Sequence, residues 1–220
     1  MRTVALIDYG SGNLPSAEKA LWAAARSLGK HRDIRATADP EFVARADSIL
    51  LPGVGAFRAC MDALSARDGL IEAMTEAVRV RGAPFLGVCV GMQLLADRGL
   101  EFGETPGLGW IGGEVRRLSP DNSQAPERHQ AKVPHMGWNN IEPLTDHPLL
   151  RGMADGEHMY FTHSFAFYPV AAEDTAAQVD HGGPFAAMVA RDNVAGVQFH
   201  PEKSQAAGLA LIQRFLEWRP

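Results

Sequence analysis

The amino-acid sequence predicts an α/β protein: a mostly parallel, doubly wound sheet flanked by helices, with extra antiparallel strands in the C-terminal half. Short apolar segments alternate with helical patterns in the first half of the chain, and glycine-rich turns follow the apolar segments. After Gly112 the segments become strand-like without long helices between them. Such alternation is typical of parallel sheets, which bind ligands at the carboxyl ends of their strands.

The first half contains three units of strand, glycine turn and helix. Residues 4–7 are apolar and precede the turn 10–13, and residues 16–28 then show a helical pattern. Residues 48–51 precede the turn 52–55 and a helix over 58–64. A further helix over 70–81 leads into a strand that ends at Cys89. All three glycine turns are therefore expected at the carboxyl ends of strands.

The second half predicts short strands over 114–118, 138–141, 159–165, 186–190 and 195–199. Residues 191–193, Arg-Asp-Asn, predict a hairpin turn between the last two strands. The polar segment 119–131 predicts a mobile surface loop, and an amphipathic helix over 209–218 closes the chain. Because the 220 residues show no internal repeat or low-complexity stretch, we expect a single domain over residues 1–220.

Composition excludes several classes of protein. The net charge of -5 argues against an extended nucleic-acid-binding surface. Two cysteines make a disulfide scaffold improbable and favour a reducing, cytoplasmic setting. The apolar N-terminal run is too short for a signal peptide or a membrane span. The histidines lack the spacing of metal ligands, so we expect no metal and no other cofactor.

Cys89 is the candidate nucleophile. It stands at the centre of the pentapeptide 87–91, Gly-Val-Cys-Val-Gly, between a strand and a helix start. Flanking glycines permit a strained turn, and the amide of the next residue, Val90, can bind a developing oxyanion. Cys60 lacks this glycine frame and falls in a helical pattern, so it is interpreted as core packing.

A cysteine nucleophile needs a base, and the base needs an acceptor that orients it. His200-Pro201-Glu202 offers both at the end of an apolar strand. Pro201 favours extended backbone at His200, and side chains two residues apart in an extended chain point to the same side. Glu202 is therefore expected to orient the imidazole of His200.

Three other features have simpler interpretations. The turn 10–13 contains Gly-x-Gly, but Pro15 stands where a dinucleotide-binding fingerprint requires glycine. His135 and His163 lie in aromatic-rich strands and are interpreted first as structural histidines with satisfied hydrogen bonds.

Together, segments 87–93 and 196–202 resemble the class I, or triad, glutamine amidotransferases, whose fold is flavodoxin-like. Segments 52–57, 134–139, 160–164 and 200–204 resemble the glutaminase subunits of imidazole glycerol phosphate synthases, and the resemblance spans almost the whole chain. It implies that Cys89 attacks the side-chain amide of L-glutamine, that His200 transfers the proton to the leaving ammonia and that Glu202 orients His200.

The resemblance also implies an oxyanion hole and a glutamine pocket. The oxyanion hole would combine the Val90 amide with an amide of the turn that contains Gly53, Val54 and Gly55. The residues that the resemblance assigns to the glutamine pocket are Gln93, Glu101, His163, Ser164 and Phe165. Because the two-glycine turn can flip a peptide, we expect the oxyanion donors to be misaligned in the free chain.

The partner implied by the resemblance is a (β/α)₈ cyclase, which forms a heterodimer with the glutaminase and receives ammonia through an internal passage. Its products would be imidazole glycerol phosphate and an aminoimidazole carboxamide ribotide. Asn13, Trp138 and Lys203 would lie near the partner surface. For Trp138, a buried strand aromatic is an equally good interpretation.

Three other functions remain open from the sequence. The chain fits the glutaminase of another pathway, such as anthranilate, aminodeoxychorismate or pyridoxal phosphate synthesis, although segments 52–57 and 134–139 favour the histidine pathway. A non-catalytic regulatory subunit is disfavoured by the intact Cys89, His200 and Glu202. A free-standing cysteine hydrolase would need no partner for full turnover.

Overall fold

An eight-stranded mixed sheet is the largest sheet among the residues that the computed structural model describes, namely 2–123, 130–153 and 156–220. The strands in chain order are β1 (Arg2–Ile7), β2 (Arg32–Thr37), β3 (Ser48–Leu51), β4 (Phe85–Val88), β5 (Arg98–Gly99), β6 (Thr105–Pro106), β7 (Gly113–Arg117), β8 (His135–Asn140), β9 (Glu142–Pro143), β10 (His158–His163), β11 (Phe165–Pro169), β12 (Thr175–Asp180), β13 (Pro184–Arg191) and β14 (Val194–Val197). The helices are α1 (Leu14–Ser27), α2 (Pro40–Arg45), α3 (Phe57–Ser65), α4 (Leu70–Thr75), α5 (Val90–Gln93) and α6 (Gln205–Glu217).

The large sheet has the strand order β2-β1-β3-β4-β14-β13-β12-β9. The first five strands are parallel to one another, and β13, β12 and β9 continue the sheet in antiparallel pairing. Two smaller sheets, β11-β7-β5-β6 and β10-β8, complete the second half of the chain. The predicted fold class is therefore confirmed.

The central strands are buried on both sides of the sheet. Every residue of β3, β4 and β14 is buried, as expected for parallel strands between helices. Helix α1 buries Ala17, Leu21, Ala24 and Ala25 along one face and packs against α6. Helices α2, α3 and α4 form a second group. No helix in the described part of the chain is long and apolar enough to cross a membrane.

Most predicted elements occur with small shifts of their ends. The predicted helix over 70–81 is α4 followed by a wider, π-helical segment, Glu76–Val80. The predicted strand over 159–165 corresponds to β10, which ends at His163, and to the first residue of β11; the rest of β11 was missed. The hairpin at 191–193 is confirmed by the pairing of Arg191 with Val194. The predicted mobile loop over 119–131 lies partly outside the described residues, because 124–129 are not among them.

The sequence analysis missed β2, α2 and β12. Strand β2 lies at the sheet edge and reads Arg-Asp-Ile-Arg-Ala-Thr, with only Arg32 and Ile34 buried. Strand β12 reads Thr-Ala-Ala-Gln-Val-Asp and contains few residues of high strand propensity. Strand β2 pairs with β1, and β12 pairs with β9 and, across the turn at residues 181–183, with β13. Both strands form through these pairings, a contribution that local composition does not report.

Candidate active site

Cys89 lies on a sharp turn between β4 and α5. Its φ is 54°, in the left-handed region, and its amide donates to the carbonyl of Val197 on the neighbouring strand at 2.8 Å. A Cβ on Gly91 would lie 2.0 Å from the carbonyl oxygen of Leu51, and one on Gly87 would lie 2.4 Å from the carbonyl oxygen of Gly91. Since both distances are far below van der Waals contact, the two glycines allow the close approach that presents the thiol.

His200 and Glu202 form the expected pair. His200 Nδ1 lies 2.8 Å from Glu202 Oε1, and the two side chains are only 3% and 5% exposed. The extended backbone expected at His200 is confirmed, with φ -102° and ψ 95°. The expectation that the extended chain continues to Glu202 is wrong, because Pro201–Lys203 form a 3₁₀ turn. The pair therefore meets across a tight turn, in which Pro201 supplies the φ that the first helical position requires.

Two neighbouring elements hold this turn in place. Ser204 Oγ donates to the carbonyl of His200 at 2.7 Å and accepts from the amide of Tyr160 at 3.0 Å. In α6, a Cβ on Gly208 would lie 1.9 Å from the carbonyl oxygen of Pro201. The glycine therefore lets the helix approach the turn directly, and the position of His200 is set by α6 and β10 together.

The charge state of His200 follows from its surroundings. Burial by itself would lower the pKa of His200, but the nearby Cys89 and Glu202 outweigh burial and raise this pKa from 6.5 to about 9. The imidazole is therefore protonated at neutral pH. Its Nε2 is buried and has no hydrogen-bond partner within the described residues. A cationic imidazole beside the sulfur favours the thiolate, and Nε2–H is available to protonate a leaving group.

A cleft of about 350 Å³ opens above Cys89 and His200. This volume is within the range of small-molecule sites. The cleft is lined by all the side chains that the sequence resemblance assigns to a glutamine pocket: Gln93, Glu101, His163, Ser164 and Phe165. Glu101 Oε2 also accepts from the amide of Phe57 at 2.9 Å, at the start of α3. The structure thus brings together residues that are far apart in the sequence.

His163 and His135 have satisfied hydrogen bonds, as the structural interpretation predicts. His163 Nδ1 lies 2.9 Å from the carbonyl of Phe165, and His163 Nε2 lies 3.1 Å from His135 Nδ1. Burial, with smaller contributions from neighbouring histidines, lowers the pKa of His135 to about 3 and that of His163 to about 4. Both rings are therefore neutral at pH 7. His163 combines this structural role with a place in the cleft wall.

The proposed oxyanion turn, defined here as residues 52–55, contacts the segment that contains Cys89. The Val90 amide donates to the carbonyl of Gly53 at 3.4 Å, so this amide is occupied. Tyr9 Oη donates to the carbonyl of Pro52 at 2.8 Å, and Ser11 Oγ donates to that of Val54 at 2.9 Å. The carbonyls on either side of Gly53 are therefore held more tightly than the Gly53 carbonyl itself. The expected misalignment of the donors agrees with this geometry.

Two contributors to the site were missed from the sequence. Cys60 is fully buried, as predicted for core packing, but its Sγ also lies 3.4 Å from the carbonyl oxygen of Val54 in the oxyanion turn. Gln198 is completely buried, and its Nε2 lies 3.7 Å from Cys89 Sγ. The signal for Gln198 was present, because it is the one side chain with a polar group in the apolar run 194–199.

The three residues expected near a partner surface occupy different environments. Trp138 is 47% exposed on β8, so its alternative interpretation as a buried aromatic is wrong. Its ring packs edge-on against Tyr160, and Lys203 Nζ lies 5.7 Å from the centroid of the same tyrosine ring. Asn13 is half-buried and lines a small cavity beside the oxyanion turn and His200.

Among the described residues, no group of three His, Cys, Asp or Glu side chains is arranged to hold a metal ion.

Comparison with known proteins identifies the family. The model of the family "Glutamine amidotransferase class-I" matches residues 5–218. The chain belongs to the class I glutamine amidotransferase family. Among its relatives in this family is the imidazole glycerol phosphate synthase subunit HisH of Caulobacter vibrioides, which is 60% identical over 220 residues and covers 100% of both chains. The corresponding subunit of Rhodospirillum rubrum is 54% identical over 218 residues, with 99% of each chain covered.

Solved amidotransferase structures share the fold. One crystal structure titled as a glutamine amidotransferase matches with a TM-score of 0.67 at 18% identity, over 97% of each chain. A glutamine amidotransferase from Thermotoga maritima matches with a TM-score of 0.57 at 17% identity, over 91% of this chain and 76% of that one. At these identities the likeness concerns the fold alone.

Proposed function

We propose that this amidotransferase is the glutaminase subunit of an imidazole glycerol phosphate synthase in histidine biosynthesis. It hydrolyses L-glutamine to glutamate and ammonia, and it passes the ammonia to a cyclase subunit. The observation that carries the proposal is the buried His200–Glu202 pair beside Cys89, in a cleft that is large enough to hold an amino acid. The full-length relatives named as subunits of that synthase support the choice of pathway.

The triad geometry supports a thioester mechanism. The Cys89 thiolate attacks the carboxamide carbon of glutamine, and the negative charge moves to the amide oxygen. The carbon–nitrogen bond then breaks as His200 Nε2–H protonates the leaving ammonia. Water attacks the thioester while neutral His200 accepts its proton, and the carbon–sulfur bond breaks to release glutamate and the thiolate. Glu202 holds His200 Nδ1–H throughout, which fixes the ring orientation.

The cleft residues are suited to a zwitterionic amino acid. We assign Gln93, Glu101, His163, Ser164 and Phe165 to glutamine binding, with the Glu101 carboxylate facing the substrate ammonium. One Glu101 oxygen is already hydrogen-bonded to the Phe57 amide. The carboxylate is thereby positioned before substrate arrives, which lowers the entropy that binding must offset.

In this proposal the oxyanion turn keeps the free chain nearly inactive. While the Gly53 carbonyl accepts from the Val90 amide, neither this amide nor that of Val54 stabilises an oxyanion. A flip of the Gly53–Val54 peptide would release Val90 N–H and turn Val54 N–H towards the substrate. One such donor changes turnover by roughly 10²–10³-fold in comparable sites. We assign the trigger for this flip to the liganded partner.

The partner in this proposal is a (β/α)₈ cyclase that docks near Asn13, Trp138 and Lys203 and forms a heterodimer with the chain. It uses the ammonia to form imidazole glycerol phosphate and an aminoimidazole carboxamide ribotide. Ammonia set free in neutral water would be protonated and lost as a nucleophile, which is the reason for direct transfer. A single domain over residues 1–220 and a cytoplasmic location complete the proposal.

A Cys89→Ser variant in the assembled complex tests this function. We expect glutamine-dependent synthesis to be abolished and synthesis from added ammonia to be unchanged, since ammonia bypasses the glutaminase. Retained glutamine use would overturn the role of Cys89. Glutamate release by the wild-type chain, measured with and without the cyclase and its nucleotide ligand, tests the coupling. Recovery of a chorismate-using enzyme as the partner would overturn the pathway.

A further inference from the structure

A buried amide outside the triad contacts the nucleophilic sulfur. Gln198 is fully buried, and its Nε2 donates towards Cys89 Sγ at 3.7 Å. This distance is within the range of N–H···S hydrogen bonds, which are longer than bonds to oxygen because sulfur is larger. Gln198 follows β14 directly, two residues before His200, so the same chain segment supplies two groups to the sulfur.

The orientation of this amide is determined by its neighbours. Gln93 Nε2 donates to the carbonyl of Phe165 at 2.9 Å and to Gln198 Oε1 at 3.0 Å. A backbone carbonyl only accepts, so the Gln93 atom that meets Phe165 must be the NH₂ group. The same NH₂ group faces Gln198, whose nearest atom must therefore be its oxygen. The NH₂ group of Gln198 is then left to face the sulfur.

The hydrogen bonds that continue from Phe165 through His163 and His135 also have only one possible direction. The carbonyl of Phe165 also accepts from His163 Nδ1–H, and the Nε2 of that neutral ring then accepts from His135 Nδ1–H. His135 Nε2 in turn accepts from Asn139 Nδ2–H at 3.3 Å. Each neutral imidazole carries one N–H. Reversing any of these histidine hydrogen bonds would therefore reverse the others and place the lone pair of His163 Nδ1 against the Phe165 carbonyl oxygen.

We propose that Gln198 is the hydrogen-bond donor that stabilises the Cys89 thiolate, and that Gln93 acts as the positioning residue that aims this donor at the sulfur. The inference rests on the proposed function, in which Cys89 is the nucleophile. His200 changes its charge during the cycle, because it gives a proton to the leaving ammonia and takes one from the attacking water. The Gln198 amide keeps its N–H through both half-reactions, so it stabilises the thiolate as nucleophile and again as leaving group.

The pH dependence of Cys89 alkylation tests the donor directly. The Gln198→Met variant keeps the length of the side chain and removes the N–H, and iodoacetamide labelling is followed by mass spectrometry of the peptide that contains Cys89. We expect the rate profile to move up by about one pH unit, which is a tenfold lower rate on the acid side of the profile. An unchanged profile would overturn the proposal.

Gln178→Met is the matched control. The Gln178 amide also donates to an anion, the Glu142 carboxylate, but at 2.6 Å on the protein surface. Its loss should leave the alkylation profile of Cys89 in place. A shift of the same size in both variants would mean that the effect is not specific to the sulfur contact, and would overturn the assignment.

A measurement on the unaltered Gln198 covers the case in which Gln198→Met does not fold. In the wild-type chain, the NMR resonances of the Gln198 side-chain NH₂ should move as the Cys89 thiol ionises. In Cys89→Ala this movement should be absent, and resonances that behave alike in both proteins would overturn the proposal. Neither readout requires glutamine turnover. Failure of the glutaminase function would appear as a lack of glutamate release by the wild-type complex, whatever Gln198 does.

Discussion

Replacement of Glu202 by glutamine tests the electrostatic basis of the triad, because it keeps the size of the side chain and removes its charge. The interactions of His200 raise its pKa to about 9 against the opposing effect of burial. A pKa of 9 instead of 6.5 corresponds to about 3 kcal/mol in favour of the imidazolium, at 1.36 kcal/mol per pH unit. Cys89 and Glu202 share responsibility for this preference.

The share of Glu202 follows from its geometry. A 2.8 Å bond between two nearly buried charged groups is worth about 1.5–3 kcal/mol. Loss of the carboxylate charge should lower the pKa of His200 by about 1–2 pH units, to between about 7 and 8. The imidazolium would then deprotonate within the physiological range. The alkaline limb of the pH profile of kcat/KM should therefore move to lower pH, and kcat should fall by about 10²-fold or more.

Two assays check this prediction. NMR titration of the His200 ring in the free chain reports its pKa in the wild type and in Glu202→Gln, and glutamine-dependent synthesis in the complex reports turnover. Glu217→Gln is the control, since Glu217 is a half-exposed carboxylate that pairs with Lys30 and Arg32 at the C-terminal end of α6, whereas Glu202 precedes the N-terminal end of this helix. A wild-type His200 that titrates near 6.5, or a Glu202→Gln variant that still titrates near 9, would refute the reasoning.

Three further variants test other parts of the structure. Gly91→Ala places a Cβ 2.0 Å from the Leu51 carbonyl oxygen, so we expect about 1–3 kcal/mol or more of destabilisation in urea unfolding, and full stability would contradict the close approach. Burial lowers the pKa of His135 to about 3, so its contribution to stability is present above pH 6.5 and is lost as the pH falls towards 3. His135→Phe should therefore weaken the loss of stability between pH 6.5 and 4 by up to about 1.4 kcal/mol per pH unit, and parallel curves for the two proteins would contradict this. Ser11→Ala removes the 2.9 Å hydrogen bond to the Val54 carbonyl. Because such a bond stabilises the turn by about 1 kcal/mol, its loss should raise glutamate release by the free chain up to about fivefold. Unchanged release would show that this bond does not restrain the turn.

Elements with strong local signals were predictable from sequence. The strand that ends at Cys89 is apolar throughout, and its glycines mark the turn that follows. The α1 helix repeats its buried residues at helical spacing. Strands β2 and β12 were missed because charge and alanine weaken their local signals, and their state depends on pairing with β1 and β13. Propensity is a weak guide wherever such tertiary pairing decides the structure.

Trp138 shows a different limit of sequence reasoning. A tryptophan in an aromatic-rich strand fits a core and an interface equally well, since its large ring is favoured in both. Which face of β8 points to solvent depends on the pairing of β8 with β10, which places Trp138 opposite Tyr160. Only that pairing, together with what covers each face, leaves the indole 47% exposed.

The sequence by itself determined the fold class and predicted the members of the proposed triad. The glycines around Cys89 and the short spacing of His200 and Glu202 are local features, which can be recognised from the sequence alone. The tertiary structure decided that the Gly53 carbonyl occupies the Val90 amide and that Gln198 reaches the sulfur. The physical reason is that these hydrogen bonds join segments tens to more than a hundred residues apart, so they exist only once the packing of the whole sheet brings the groups within a few ångströms.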